Sequence, residues 1–89
     1  MGIETVLFKS EEKKSAKEVA EVLRLLAEKI ESGAVTLQQG ADEINISFPD
    51  TMVLELKVEE EQGRKLKKSF EIELEWIVGE EQAGATAIR

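Results

Sequence analysis

The chain has 89 residues and a net charge of −7, and it contains no histidine, cysteine or tyrosine. This length predicts one domain, and without cysteine neither a disulfide framework nor a thiolate metal site is possible. No apolar run approaches the ~20 residues that span a bilayer, and the N-terminus lacks the apolar core of a signal peptide. We therefore expect a soluble, cytoplasmic protein without a membrane partner. Its acidity opposes binding to nucleic acid, which needs a positive surface field.

A β-prone run at residues 3–9 predicts a short first strand at a sheet edge, and a charged connector follows it. Next comes one amphipathic helix over roughly residues 16–31. Ser15 and Glu18 fit a capping box at its start, although Ser10 is a rival N-cap that would lengthen the helix. Gly33 is placed to close the last turn in the left-handed conformation. The apolar stripe of the helix consists of Val19, Val22, Leu23, Leu26, Ala27 and Ile30.

Beyond Gly33 apolar residues alternate with polar ones, which is typical of strands. The clearest case is residues 69–76, where one strand would carry an apolar face and an acidic face. Shorter strands are predicted around residues 35–37 and 44–48, and a longer one at 52–59. Pro49 and Asp50 form a turn, and the tip of the last hairpin spans residues 60–66 around Gly63.

Directly opposed residues of antiparallel strands must share a face, and this parity predicts the register of both final hairpins. On the outer face of the last hairpin it sets Lys57 against Glu71, which is favourable, and Glu55 against Glu73, which is not. On the apolar face it pairs Phe48 with Met52, Ile46 with Leu54, Ile44 with Leu56, Val58 with Phe70, Leu56 with Ile72, Leu54 with Leu74 and Met52 with Trp76.

These patterns predict an α+β domain, in which one amphipathic helix packs on one face of a four- to five-stranded antiparallel sheet containing a C-terminal meander. The order of the first two strands stays open. The domain is expected to occupy residues 1–78. The remaining residues 79–89 have no periodic pattern and predict a flexible tail.

The order of these elements resembles a known family. A short first strand, a helix reading Glu-Val-Ala-Glu-Val-Leu-Arg-Leu-Leu-Ala-Glu-Lys-Ile-Glu-Ser-Gly, and an amphipathic final strand, Phe-Glu-Ile-Glu-Leu-Glu-Trp, are similar to the amphi-Trp domain. The resemblance covers about residues 4–78. It implies a small prokaryotic or archaeal protein without an assigned activity, so no functional residues are carried over from the family.

Catalysis is not expected, because the commonest general bases and nucleophiles are missing. Asp42 and Asp50 lie in turn-like contexts, and the glycines punctuate separate turns rather than forming a phosphate loop. A ladder of carboxylates could in principle hold Ca²⁺ or Mg²⁺, but ligands on one flat strand face do not surround a cation. We expect no metal and no cofactor, and read the ladder as a solvated face that discourages aggregation. Its members are Glu55, Glu59, Glu71, Glu73 and Glu75.

Two groups of residues are candidates for binding. The first is the basic tip, formed by Arg64, Lys65, Lys67 and Lys68, which could contact phosphates or could simply balance the acidic sheet. The second is Trp76, which either anchors the core or lines an interface, where tryptophan is enriched.

The sequence thus leaves two classes of function. The first is a non-catalytic module that binds an unknown protein or forms a homodimer. The second, less favoured by the acidic composition, is a ligand or nucleic-acid binder that uses the basic tip.

Overall fold

The computed structural model describes residues 2–79 and shows one helix followed by four strands, so the α+β class is confirmed. The helix α1 spans Ala16–Ser32, and the strands are β1 (Ala34–Gln39), β2 (Asp42–Ser47), β3 (Val53–Gln62) and β4 (Leu66–Glu75). The chain divides after Phe48 into two compact units. None of the helices in this described part is both long and apolar enough to cross a membrane.

Helix α1 begins and ends as the sequence predicted. The Glu18 backbone N–H donates to the Ser15 hydroxyl at 3.1 Å, and the Ser15 backbone N–H donates to the Glu18 carboxylate at 2.9 Å. These reciprocal bonds satisfy two donors that the helix itself leaves free, and they make Ser15 the N-cap. Gly33 closes the other end at φ 101°, with its N–H donating to the carbonyls of Lys29 and Ile30. Only glycine adopts this backbone conformation without strain.

In the first unit, α1 contacts β1, and β1 pairs with β2. Gly40 opens the two-residue turn between these strands with φ 59°, which suits a tight hairpin. The register pairs Val35 with Ile46 and Leu37 with Ile44, so these four apolar side chains share one face. Val35 is buried at 9% exposure, and the other three are half-buried. The Phe48 N–H donates to the Gly33 carbonyl at 2.8 Å and ties the end of β2 to the end of α1.

The second unit contains the hairpin of β3 and β4, and its register confirms the sequence prediction. Val58 pairs with Phe70, Leu56 with Ile72 and Leu54 with Leu74, and on the other face Lys57 pairs with Glu71 and Glu55 with Glu73. Met52 and Trp76 lie immediately beyond the last pair, in the phase that places them on the face of Leu54 and Leu74. The alternation of residue types excludes a one-residue slip of this register, because such a slip would exchange the two faces.

One expectation about the strands needs correction. The predicted strand at residues 3–9 was wrong, because residues 2–15 form no strand. β-propensity expresses fit to a half-buried pleated surface, and a β-prone run becomes a strand only when another strand pairs with it. The described residues form two two-stranded antiparallel sheets, β1–β2 and β3–β4. Apart from Gly79, the predicted tail lies outside the described residues.

Candidate functional site

One face of the β3–β4 hairpin is apolar from the Met52–Trp76 end to the Val58–Phe70 pair, and we call this stretch the apolar hairpin face. Leu66, 59% exposed, lies on the same side beyond this stretch, opposite Gln62. Five of its side chains are largely exposed: Leu54 at 58%, Leu56 at 59%, Val58 at 66%, Phe70 at 64% and Ile72 at 48%. By strand parity Met52, Leu74 and Trp76 belong to the same face, and these three are half-buried. The hairpin therefore presents a continuous apolar stripe to the solvent.

A single ion pair marks the tip end of the apolar hairpin face. Glu60 and Lys68 are register partners, and the Lys68 ammonium lies 3.1 Å from a Glu60 carboxylate oxygen. Both residues are in phase with Val58 and Phe70, so the pair borders the apolar stripe. Because the two charges cancel, the face has no net charge.

The opposite side, which we call the acidic hairpin face, has an excess of negative charge. Only Lys57 and Lys67 offset its glutamates, and the Lys57 ammonium lies 3.7 Å from both Glu59 and Glu71. These carboxylates raise the pKa of Lys57. The glutamates of the face are Glu55, Glu59, Glu61, Glu71, Glu73 and Glu75.

Glu73 is the most perturbed carboxyl of the acidic hairpin face. Its pKa is raised above the ordinary glutamate value, first because it shares a hydrogen bond with the Glu55 side chain and then because Glu75 and Glu55 repel its charge. A recess of about 400 Å³ beside it is lined by Glu55, Lys57, Glu71, Ile72 and Glu73. Among the described residues, no group of three or more acidic side chains is arranged to hold a metal ion.

The structure does not bring the four cations of the basic tip onto one surface. Arg64 and Lys65 lie in the turn, whereas Lys67 and Lys68 follow each other in β4 and point to opposite faces. Lys68 is paired with Glu60, and Lys67 stands opposite Glu61. Trp76 lies beyond the last residue of β4, at the end of the hairpin away from the tip. It is therefore not positioned to stack a base beside these cations.

Comparison with protein families decides which family this arrangement belongs to. The model of the amphi-Trp domain matches residues 1–89. The chain belongs to the amphi-Trp domain family. Searches of curated proteins and of solved structures found no match.

In this amphi-Trp domain, sequence reasoning missed the Glu60–Lys68 pair because it treated the four cations of the tip as one cluster. The signal was present in the sequence. Extending the predicted Val58–Phe70 pair by two residues along each strand sets Glu60 opposite Lys68 on the apolar face. The same step sets Glu61 opposite Lys67 on the acidic face, which shows that the cluster must divide.

Proposed function

We propose that this amphi-Trp domain is a small, non-catalytic cytoplasmic module that works by binding a protein or by self-association. The observation that carries the proposal is the exposed apolar hairpin face. Contiguous exposed apolar surface marks interaction sites, and burying it stabilises the strands that carry it. A partner that covers this face therefore both stabilises the hairpin and gives the domain its specificity.

The size of the effect follows from the exposed fractions. Complete burial of one large apolar side chain stabilises by about 1.5–3 kcal/mol. The five most exposed side chains of the apolar hairpin face keep roughly half to two thirds of their surface. Covering them therefore contributes about 4–9 kcal/mol before the cost of association is subtracted. This contribution is large enough to support a reversible complex.

We also propose the finer arrangement of the sheet, in which β2 and β3 are neighbours in a meander and α1 lies on one face. In it Phe48 stands opposite Met52 and Ile46 opposite Leu54, which keeps apolar residues together. A helix is about 10 Å wide and strands are ~4.8 Å apart, so α1 covers about two strands. The contact of α1 with β1 supports a helix cover over the first hairpin, and in this proposal the apolar hairpin face remains for a partner.

The meander can be tested by methyl nuclear Overhauser spectroscopy. Contacts between Ile46 and Leu54 support the meander, and their absence in the folded protein would refute it. The Val58–Phe70 contact, which lies within one hairpin, serves as the positive control.

The non-catalytic part of the proposal is supported by residue chemistry. Glu55 and Glu73 come closest to the paired carboxylates of a hydrolase, and Glu73 has a raised pKa. A carboxyl that works as a general acid near neutral pH, however, sits in an apolar pocket that disfavours its charge. Glu73 lies on an exposed strand face, where a hydrogen bond with the Glu55 side chain and then repulsion by Glu75 and Glu55 raise its pKa.

The experiment is a pull-down with the tagged chain from a lysate of its source cells, with and without nuclease. The matched variants are Leu56→Lys on the apolar hairpin face and Glu55→Lys on the acidic hairpin face; both add a lysine at adjacent positions of β3. We expect a stoichiometric protein, or the untagged chain itself, to be captured by the wild type and by Glu55→Lys but lost with Leu56→Lys. If Leu56→Lys captures the same protein as the wild type does, the proposal is contradicted. Partners that disappear with nuclease and with Lys67→Ala/Lys68→Ala would instead establish the basic tip as the binding site.

A further inference from the structure

We infer that the occupant of the apolar hairpin face is the same face of a second copy, in a two-fold dimer whose axis runs parallel to the strands. This inference rests on the proposed function and names its partner. Three features of the β3–β4 hairpin carry it, namely the distribution of charge between its faces, the position of one ion pair and the size of the apolar surface.

The distribution of charge selects the face. Each chain carries a net charge of −7, so two copies repel each other in most orientations. The acidic hairpin face carries six glutamates against two lysines and opposes a second copy most strongly. The apolar hairpin face carries one negative and one positive charge, which form an ion pair. A second copy therefore meets the least electrostatic opposition on the apolar hairpin face.

The position of the ion pair selects the symmetry axis. A two-fold axis parallel to the strands turns the partner hairpin over, so that β3 of one protomer lies across from the partner's β4. Glu60 then lies across from the partner's Lys68, and Lys68 from the partner's Glu60, so the four charges alternate. An axis perpendicular to the strands would instead place the charges of each tip against the partner's far end, beside Met52 and Trp76. Ions left against apolar groups lose solvation without gaining a new partner.

The same axis matches side chains by size and keeps the dimer isologous. It sets the small Val58 against the partner's Phe70, and Leu54 against the partner's Leu74. Facing sheets pack about 10 Å apart, a spacing that these pairs can fill.

The available area sets the expected affinity. The eight apolar side chains would present roughly 500–1,000 Å² if fully exposed, and part of this is already covered within the hairpin. The remainder is several hundred Å², at or below the ~800 Å² that each partner contributes to a standard interface. We therefore expect a concentration-dependent dimer.

The test is a complementation experiment with charge-reversed full-length chains. Glu60→Lys gives a face with two positive charges, and Lys68→Glu gives a face with two negative charges. We expect each variant alone to dimerise about tenfold more weakly than the wild type or worse, because like charges meet across the axis. An equimolar mixture of the two should form a heterodimer as strong as the wild-type dimer. Sedimentation equilibrium gives the mass relative to the 9.9 kDa chain, and native mass spectrometry identifies the heterodimer.

The matched controls are Glu61→Lys and Lys67→Glu, which reverse the neighbouring register pair on the acidic hairpin face. They disturb the same part of the hairpin but should not weaken the dimer. Circular dichroism of every variant confirms that the hairpin is still folded. If the mixture of Glu60→Lys and Lys68→Glu forms no more dimer than each variant forms alone, the parallel two-fold axis is refuted.

The wild type separates failure of this inference from failure of the proposed function. A folded wild type that stays monomeric at all concentrations, yet captures a foreign protein through Leu56, refutes the dimer and keeps the interaction module. A spin label on Lys65→Cys gives a second readout, because the chain has no other cysteine. Parallel hairpins bring the two labels together at the tips, whereas an antiparallel pair separates them by about 30 Å, nearly the length of a ten-residue strand.

Discussion

Phe70→Ala tests whether the apolar hairpin face is covered by a second molecule. Truncating a fully buried phenylalanine costs about 3–5 kcal/mol. In the single chain Phe70 is 64% exposed, so only about a third of its surface contacts other residues. The substitution should therefore lower the free energy of unfolding by about 1–2 kcal/mol. When a partner covers the face, the loss should rise towards the full value. The cost of this substitution is therefore expected to depend on protein concentration.

The assay is urea unfolding followed by far-ultraviolet circular dichroism, at protein concentrations below and above the onset of dimerisation. Lys67→Ala is the control, because it lies in the same strand on the opposite face and should change stability by no more than about 0.5 kcal/mol. Equal costs for Phe70→Ala and Lys67→Ala at both concentrations would refute the reasoning. If Phe70→Ala lowers the free energy of unfolding by about 3–5 kcal/mol at both protein concentrations, Phe70 is covered by its own chain.

Three further substitutions test local features. Ser15→Ala removes the N-cap and should destabilise the domain by about 1 kcal/mol, seen as a lower urea midpoint; an unchanged midpoint would show that the capping box contributes nothing. Gly33→Ala forces a Cβ into the left-handed region at φ 101° and should cost about 1–2 kcal/mol, whereas Gly63→Ala, at a glycine without positive φ, should be nearly neutral. Glu73→Gln should raise stability at neutral pH. A carboxyl whose folded pKa is raised contributes stability below its ordinary pKa and loses that contribution as the pH rises through the raised value. At neutral pH the wild type has therefore lost this contribution, whereas the uncharged glutamine avoids the repulsion. Melts over a pH series should show this advantage disappearing on acidification, and a constant advantage would exclude charge repulsion as its cause.

Features that depend on neighbouring positions along the chain could be predicted from the sequence. The capping box needs only Ser15 and Glu18, and Gly33 follows the helix at the position where a left-handed residue is required. The β3–β4 register was also predictable, because alternation over ten residues per strand allows one phase that keeps Phe70 and Leu54 on the same face.

Features that depend on distant partners were less predictable. Residues 3–9 have the composition of a strand, but composition does not specify which edge, if any, they pair with. The basic tip illustrates a different limit, because proximity in sequence does not place side chains on one surface. In a strand adjacent residues point to opposite sides, so Lys67 and Lys68 belong to different surfaces.

The local character of both hairpins also bears on the order of folding events. Each β1–β2 partner pair lies close in sequence, and in the second unit Val53 and Glu75 are the most distant partners. Chains rich in such short-range contacts have low contact order and fold within microseconds to milliseconds. At synthesis rates of about 5–20 residues per second, α1 with β1 and β2 can form before β4 has left the ribosome. If the proposed dimer forms, the last hairpin emerges with its apolar side uncovered, and we expect the slow step to be the bimolecular encounter that covers it.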